Sequence, residues 1–531
     1  MAPISIKSVL ISESVDPRCR SILEENGIRV TEKHNMKKDE LIAEIKDYDG
    51  LVVRSATKVT ADVINAAGNL KIIGRAGTGV DNVDVDAATK MGVIVMNTPN
   101  GNTISAAELT CALLMSLSRN VPQAAMSMRA GNWDRKKFMG SELYGKVLGI
   151  VGLGRIGKEV ASRMQAFGMK TVGYDPITPV EVSASWGVEQ ISLEKLWPLC
   201  DYITVHTPLM PSTVGLLNDE TFAKCKRGVK VVNCARGGII DEGALLRALE
   251  SGQCGGAGLD VFVEEPPQDR SLVNHPNVIG CPHLGASTKE AQARCGQDIA
   301  LQIVDMVKGN KLVGAVNAQV LASTFSPDSY PLIKLGEAIG AVLQSCSVSK
   351  NPLSQVQITS QGDSMKSSAS YMTAAVLVGL LNGKSGCCPN FINVLSLAKE
   401  SGITVNQSHS VSEDASIGAC TVEIMSDGCS YKATGTVQGG RPVLLELGGS
   451  VFRQPVSLTG NLLFFKASAS PQLLSSVADL LATEGVQIES FSGPAECFGD
   501  ACSWHCVGVS SLLRDLSALK PLVQEAAQLS A

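Results

Sequence analysis

Short apolar runs alternate with amphipathic stretches along the first part of the chain. Val9-Leu-Ile, Gly50-Leu-Val-Val, Lys71-Ile-Ile-Gly and Val93-Ile-Val-Met carry no polar alternation, and they predict parallel strands buried on both faces. Arg18 to Glu25 and Lys38 to Lys46, between them, are spaced for helices. A strongly apolar helix is predicted from Ser105 to Arg119. Val147 to Val151 then predicts a strand, a helix follows with Val160, Met164 and Phe167 on one face, and Thr171 to Tyr174 predicts a second strand. Further strands are expected at Tyr202-Ile-Thr-Val-His206, Val229 to Asn233, Gly256 to Val261 and Val278-Ile-Gly280, and a long helix from Thr288 to Val307. Beyond about Leu312 the texture changes: residues 313–455 are rich in Ser, Gly, Val and Gln and show no catalytic cluster. From Asn461 the pattern reads strand (Leu462 to Lys466), helix (Pro471 to Glu484), strand (Val486 to Glu489), strand (Ala501 to Val509) and helix (Leu513 to Ala527), a small α+β unit of regulatory type.

The strand–helix–strand at Val147 to Tyr174 contains Gly152-Leu-Gly154-Arg-Ile-Gly157 and ends at Asp175. That is the order a dinucleotide-binding βαβ unit requires. Gly152 serves the tight turn, Gly154 admits the pyrophosphate to the backbone, and Gly157 lets helix and strand pack closely. The free N–H groups and positive end of the helix face the pyrophosphate. Asp175 is placed to accept hydrogen bonds from the ribose hydroxyls and repels a 2′-phosphate, while Pro176-Ile-Thr-Pro179 offers no base to hold one. The expected cofactor is NAD rather than NADP.

Because the fingerprint is not N-terminal, an α/β domain folds before it. The helix after Thr288 is placed to run back to that domain. We therefore expect a discontinuous substrate-binding domain (1–98 and 287–312), an inserted NAD-binding domain (99–286), an intervening allosteric or assembly domain (313–455) and a C-terminal domain (456–531). Two crossings make a hinged cleft. A net charge of −5 gives no reason to expect nucleic acid or a membrane surface as partner. The start of the chain lacks a secretory signal and no run is long and charge-free enough to span a bilayer. With sixteen scattered cysteines, this points to a cytosolic protein with reduced thiols. The tightest Cys/His group is Cys497, Cys502, His505 and Cys506; as a strand it puts His505 on the opposite face from Cys502 and Cys506, so no metal is expected.

Hydride chemistry belongs to the cofactor, so the protein must supply a base for a hydroxyl proton and a cation for a carboxylate. Arg236 follows the strand ending at Asn233, Glu265 lies in the loop after Leu259-Asp-Val-Phe, and His283 follows Val278-Ile-Gly. All three fall after the carboxyl ends of strands of one sheet, where open α/β sheets bind ligands. A histidine suits the base, a carboxylate beside it fixes its tautomer and raises its pKa, and an arginine clamps a carboxylate. His206 and His275 are rivals: the first sits in a strand, the second in a surface turn before Pro276. Arg54 in Val53-Arg54-Ser55 and Arg75 in Gly74-Arg75-Ala76-Gly77 follow strand-like runs. Either they point into the cleft or they are solvated surface charges.

The fingerprint, CARGGIIDE from Cys234, GLDVFVEEP from Gly258 and CPHLGAST from Cys281 together resemble the D-2-hydroxyacid dehydrogenase family. The resemblance implies a Rossmann-type nucleotide-binding domain inserted in a flavodoxin-like substrate domain, followed by C-terminal α+β regulatory, ACT-like domains. It implies Arg236, Glu265 and His283 as the catalytic set, with His283 as proton acceptor. It implies NAD contacts at Thr78, Gly152, Gly154, Arg155, Ile156, Gly157, Asp175, Thr207, Cys234, Ala235, Arg236, Asp260, His283, Leu284, Gly285 and Ala286. For a phosphorylated 2-hydroxy acid it implies Arg54, Ser55, Arg75, Gly77 and Asn102, and Arg135 reaching a neighbouring subunit. It also suggests a homotetramer with a nucleotide-domain dimer at its centre. A glyoxylate or hydroxypyruvate reductase shares the same catalytic set, and an NAD-sensing corepressor-like scaffold is the non-enzyme alternative. The turn Ser468-Ala-Ser-Pro471 lacks the glycine of serine-inhibited relatives, which leaves feedback by serine open, with a structural or assembly role as the alternative.

Overall fold

The computed structural model describes residues 4–530 apart from 327, 348–351, 367, 384–387, 411–417, 427–428, 469 and 496–501. Strands β1 (Ser8–Ile11), β2 (Arg29–Glu32), β3 (Gly50–Val53), β4 (Ile72–Arg75) and β5 (Ile94–Asn97) form a parallel sheet in the order β2-β1-β3-β4-β5. Helices on both faces explain the unbroken apolar runs. One face, with Val9, Ile11, Val52 and Ile72, packs on Ile22 and Leu23 of the helix Pro17–Glu25 and on Ile299 and Ile303 of the helix Lys289–Val307. The other, with Leu10, Leu51, Val53 and Ile73, packs on Leu41, Val63 and Ile64. The Lys289–Val307 helix, remote in sequence, thus covers the first sheet. A Cβ on Gly74 of β4 would lie 2.8 Å from the Ile299 side chain, so the two elements meet closely. The segment after this helix adds to the free edge of β5: Asn97 N–H donates to Gly314 O (2.9 Å), and Val316 N–H to Val95 O (2.8 Å).

Strands β6 (Val147–Val151), β7 (Lys170–Tyr174), β8 (Glu189–Gln190), β9 (Tyr202–Val205), β10 (Val229–Asn233), β11 (Cys254–Leu259) and β12 (Val278–Gly280) make a second parallel sheet, ordered β12-β11-β10-β9-β6-β7-β8. Winding reverses between β6 and β9, which opens a crevice beyond their carboxyl ends. The helix Thr103–Arg119 buries Leu113, Leu114 and Leu117 against this sheet, and the helix Arg155–Ala166 buries Val160, Ala161 and Met164. Phe167, expected on that buried face, is instead half exposed, because the helix ends at Ala166 and Phe167 caps it.

The remainder holds two further sheets. Strands β13 (Gln355–Gln361), β14 (Thr404–Ser410), β15 (Ala419–Ser426), β16 (Cys429–Gln438), β17 (Arg441–Leu447) and β18 (Ser450–Ser457) are ordered β14-β13-β15-β16-β17-β18, with the helices Ser329–Cys346 and Ala369–Leu381 in their core. Strands β19 (Asn461–Ala467), β20 (Ile488–Ser492), β21 (Ser503–Val509) and β22 (Glu525–Ser530) are ordered β20-β21-β19-β22 and are antiparallel, with the helix Leu473–Thr483 between β19 and β20. The helix expected over Leu513 to Ala527 is corrected here. Only Leu516–Leu519 turns as a short 3-10 helix, Pro521 stops it, and the residues from Glu525 pair along β19 as a strand. His505 lies on the opposite face of β21 from Trp504 and Cys506, stacked on Phe465 at 5.2 Å. Cys497 and Ala469 lie outside the described residues. Among the described residues no Cys, His, Asp or Glu group has metal-binding geometry, and no helix is long and apolar enough to cross a membrane.

Candidate active site

At the end of β6 the chain turns sharply. Gly152 has φ +97°, and a Cβ there would lie 2.7 Å from the His206 carbonyl oxygen. A Cβ on Gly157 would lie 2.2 Å from the Gly152 oxygen, whereas one on Gly154 would meet nothing within 4 Å. Two glycines therefore serve packing, and the third keeps an approach open. The helix Arg155–Ala166 starts with no side-chain cap, which leaves its first N–H groups directed at that opening. Arg155 is exposed and Ile156 half buried beside it. Asp175 Oδ2 accepts from Leu153 N–H (2.7 Å), and Oδ1 from the N–H groups of Ile177 (2.7 Å) and Thr178 (3.0 Å). Burial pushes this carboxyl up, but the three donors outweigh it and hold it below the usual range, so it stays ionised. Thr207 Oγ1 is buried without a partner. A dinucleotide with unsubstituted ribose fits these groups: donors for pyrophosphate, a fixed carboxylate for ribose hydroxyls and an orphaned hydroxyl along the way.

The catalytic candidates converge at the carboxyl ends of β10, β11 and β12. Asn233, the last residue of β10, accepts from Ala235 N–H (2.9 Å) and donates to Arg236 O (2.8 Å), which fixes the Cys234-Ala235-Arg236 turn. Cys234 is buried, and burial pushes its thiol up to about 12, so it stays neutral. Glu265 Oε1 accepts from Phe262 N–H (3.1 Å), and its Oε2 receives His283 Nδ1–H at 2.7 Å. The carboxylate dictates the tautomer: Nδ1 carries hydrogen and Nε2 is left for a substrate. His283 sits at φ +55° on a turn held by Asp260, whose backbone oxygen accepts from His283 N–H (3.0 Å). The Asp260 carboxylate accepts from the N–H groups of Leu284 (2.6 Å) and Gly285 (2.8 Å). Asp260 is wholly buried, so here it braces the His283–Ala286 turn rather than lining the opening. The hydrogen bond to Glu265 raises the His283 pKa above the usual histidine value, against the lowering by burial. Glu265 is pushed up by burial but pulled further down by His283 and Phe262 N–H, and it ends below the usual carboxylate range.

The first sheet supplies the facing wall. Arg75 ends β4 with its guanidinium largely buried, its Nε without a partner, and its pKa lowered first by burial and then by nearby Arg236. Arg54 follows β3, and its Nη1 lies 3.4 Å from Gln292 Oε1. Ser55 is exposed next to it, and Gly77 lies against the Arg75 guanidinium. Thr78 Oγ1–H donates to Asn102 Oδ1 at 2.6 Å, joining two predicted contacts. Arg135 is not brought to this group; it lies on the exposed 131–140 loop, and no partner is found for it among the described residues. His206 Nε2 pairs with Thr204 Oγ1 (3.0 Å), and burial lowers its pKa to about 4, so the ring is neutral at neutral pH. His275 Nδ1 accepts from Asn277 N–H in a turn (3.2 Å).

Sequence reasoning missed three participants. Asp81 Oδ2 forms an ion pair with Arg236 Nη2 at 2.9 Å. Gln292 reaches Arg54 from the Lys289–Val307 helix. Glu13 accepts from the N–H groups of Arg54 (2.9 Å), Ala56 (3.1 Å) and Thr57 (2.7 Å) and shapes the loop after β3. Each lies in a loop or helix of ordinary polar composition, and only the tertiary fold aims it.

A parallel sheet with a nucleotide crevice, and a histidine–carboxylate pair beside an arginine, define an NAD-dependent dehydrogenase acting on a hydroxyl group. Residues 111–285 match the family described as the D-isomer specific 2-hydroxyacid dehydrogenase NAD-binding domain, and residues 329–447 match the D-3-phosphoglycerate dehydrogenase intervening domain. The chain is 59% identical over 534 residues to D-3-phosphoglycerate dehydrogenase of Rattus norvegicus, covering 99% of each chain, and 57% identical to that of Homo sapiens with the same coverage. Among solved structures it is similar to a D-lactate dehydrogenase of Aquifex aeolicus in complex with NAD and lactic acid. That match has a TM-score of 0.52 and 26% identity, and covers 57% of this chain and 96% of the other. The chain belongs to the D-3-phosphoglycerate dehydrogenase family of NAD-dependent D-2-hydroxyacid dehydrogenases.

Proposed function

We propose that this chain oxidises the C2 hydroxyl of 3-phospho-D-glycerate to the ketone of 3-phosphohydroxypyruvate, the first step of serine synthesis through phosphorylated intermediates. The observation that carries the reading is the 2.7 Å His283–Glu265 pair in one electrostatic neighbourhood with Arg236, which in turn neighbours the partnerless Nε of Arg75. A base and a carboxylate clamp thus share a cleft with a cation whose buried Nε has no hydrogen-bond partner. Bound NAD supplies the hydride acceptor. Nε2 of neutral His283 takes the hydroxyl proton, and Glu265 stabilises the imidazolium that forms. Arg236 receives the substrate carboxylate, while Arg54 and Arg75, with Ser55, Gly77 and Asn102, hold the phosphate end. NADH formation with 3-phosphoglycerate, set against reduction of glyoxylate and hydroxypyruvate, tests the assignment. The reading predicts that 3-phosphoglycerate is the preferred acid; preference for glyoxylate with no turnover of 3-phosphoglycerate overturns it.

The working form we propose is a homotetramer in the cytosol. The helix Val121–Arg129 and the loop after it expose Val121, Met126, Met128, Trp133, Met139 and Tyr144, an apolar face suited to a second copy. Arg135 lies within this loop and would act across that contact. A reducing compartment is supported by the described cysteines, every one of which is free.

A further inference from the structure

Arg236 is tethered at both terminal nitrogens. Nη1–H donates to Ala235 O at 2.6 Å, within its own turn, and Nη2 forms an ion pair with Asp81 Oδ2 at 2.9 Å. Asp81 belongs to the loop after β4, so this ion pair crosses from the second sheet to the first. A guanidinium has five N–H donors in one plane. The hydrogen bond and the ion pair hold the group from two sides and leave Nε–H and further terminal N–H groups for a ligand. The site is shaped around the pair: a Cβ on Gly79 would lie 1.8 Å from Nη2 of Arg236 and 2.7 Å from Oδ2 of Asp81, so a side chain there has to displace one or both of them.

Charge makes the aspartate informative. The substrate carries a carboxylate and a phosphate, and the cleft is otherwise lined by Arg54, Arg75 and Arg236. A carboxylate here repels the substrate and offsets part of that positive field. With 70% of its side chain exposed, Asp81 is no strut of the core. Its presence is explained if aiming Arg236 outweighs the repulsion.

We propose that Asp81 is the positioning residue for Arg236, holding the carboxylate clamp from the opposite wall so that Arg236 is aimed only when the two walls of the cleft come together. The inference rests on the reading that Arg236 receives the substrate carboxylate. It adds a residue outside the catalytic set and ties substrate orientation to closure. Asp81 itself makes no contact with the reacting atoms.

The test is steady-state kinetics of the full chain with 3-phosphoglycerate and NAD, for wild type, Asp81→Ala and Asp81→Asn. Positioning predicts that Asp81→Ala raises KM for the acid on the order of tenfold while KM for NAD is unchanged. Asp81→Asn, which keeps an acceptor oxygen for Nη2, recovers most of that loss. Simple removal of a repelling charge predicts the opposite sign. A KM for the acid that is unchanged or lower in Asp81→Ala therefore overturns the proposal, as does loss of NADH binding together with thermal stability, the mark of a structural role. Gly79→Ala, which crowds the guanidinium with Asp81 intact, is expected to raise the same KM selectively; no change there also counts against it. Should wild type turn over another 2-hydroxy acid instead, the substrate assignment fails, and the same comparison with that acid still tests the role of Asp81.

Discussion

With His283 as the proposed base, its pairing with Glu265 sets the pH response of the site. Oxidation needs the neutral imidazole, so its rate rises as pH passes the His283 pKa, which the hydrogen bond to Glu265 has raised. We expect the acid limb of kcat/KM for oxidation to titrate above the ordinary histidine value of about 6.5. In Glu265→Gln the limb moves down and the maximal rate falls, because the imidazolium loses its partner. A limb that stays in place in Glu265→Gln contradicts this coupling. The stability linkage runs the other way. The pair contributes fully between the unfolded pKa of the carboxyl and that of the histidine; it is lost as pH rises through the raised His283 value and as pH falls through the lowered Glu265 value. His283→Ala is expected to lower kcat by roughly 10²–10⁴-fold with NADH binding retained, as measured by fluorescence titration. The histidine, its carboxylate and the arginine were legible in the sequence, since each follows a recognisable strand of one sheet. Asp81 was not: it lies in a loop of the other sheet, and no local pattern tells a cleft aspartate from a solvated one.

Among the elements, the β6 turn and the Arg155–Ala166 helix carry the most specific packing. Gly157→Ala places a methyl 2.2 Å from the Gly152 oxygen, a clash with backbone. It is expected to destabilise by about 1–3 kcal/mol, read as a lower Tm, and to weaken NADH binding. Gly154→Ala meets nothing within 4 Å, so Tm should hold while NADH affinity falls. Equal effects of the two substitutions on Tm would contradict the division of labour between these glycines. The β/α elements of the first two sheets were readable because buried parallel strands leave unbroken apolar runs. The third sheet was not resolved in the sequence, although β15 shows strict alternation of half-buried and buried positions; its many Ser and Thr residues mask the period. The C-terminal strand β22 was read as a helix because Leu513 to Ala527 is rich in Leu and Ala. Pro521 and the open edge of β19 decided otherwise.

At the scale of the whole molecule, the segment after the Lys289–Val307 helix is tied into the first sheet. Asn317 Oδ1 accepts from Val95 N–H (2.8 Å) and its Nδ2 donates to Val93 O (2.9 Å), beyond the boundary expected at residue 312. A chain cut after 312 leaves such groups unmet at about 1–3 kcal/mol each. It should therefore melt below one cut after 322, by differential scanning calorimetry; equal Tm values would show that the β5 edge does not depend on this segment. On the proposed reading, the two sheets and the crossing helix make one cleft with the base His283 on one wall and Arg54 and Arg75, which receive the phosphate, on the other. The most direct test of that account is the ratio of kcat/KM for 3-phosphoglycerate to that for D-glycerate, in wild type and in Arg54→Ala and Arg75→Ala. We predict that the wild-type ratio strongly favours the phosphorylated acid and collapses in both variants. A ratio near one in wild type, or a ratio untouched by loss of either arginine, would contradict it.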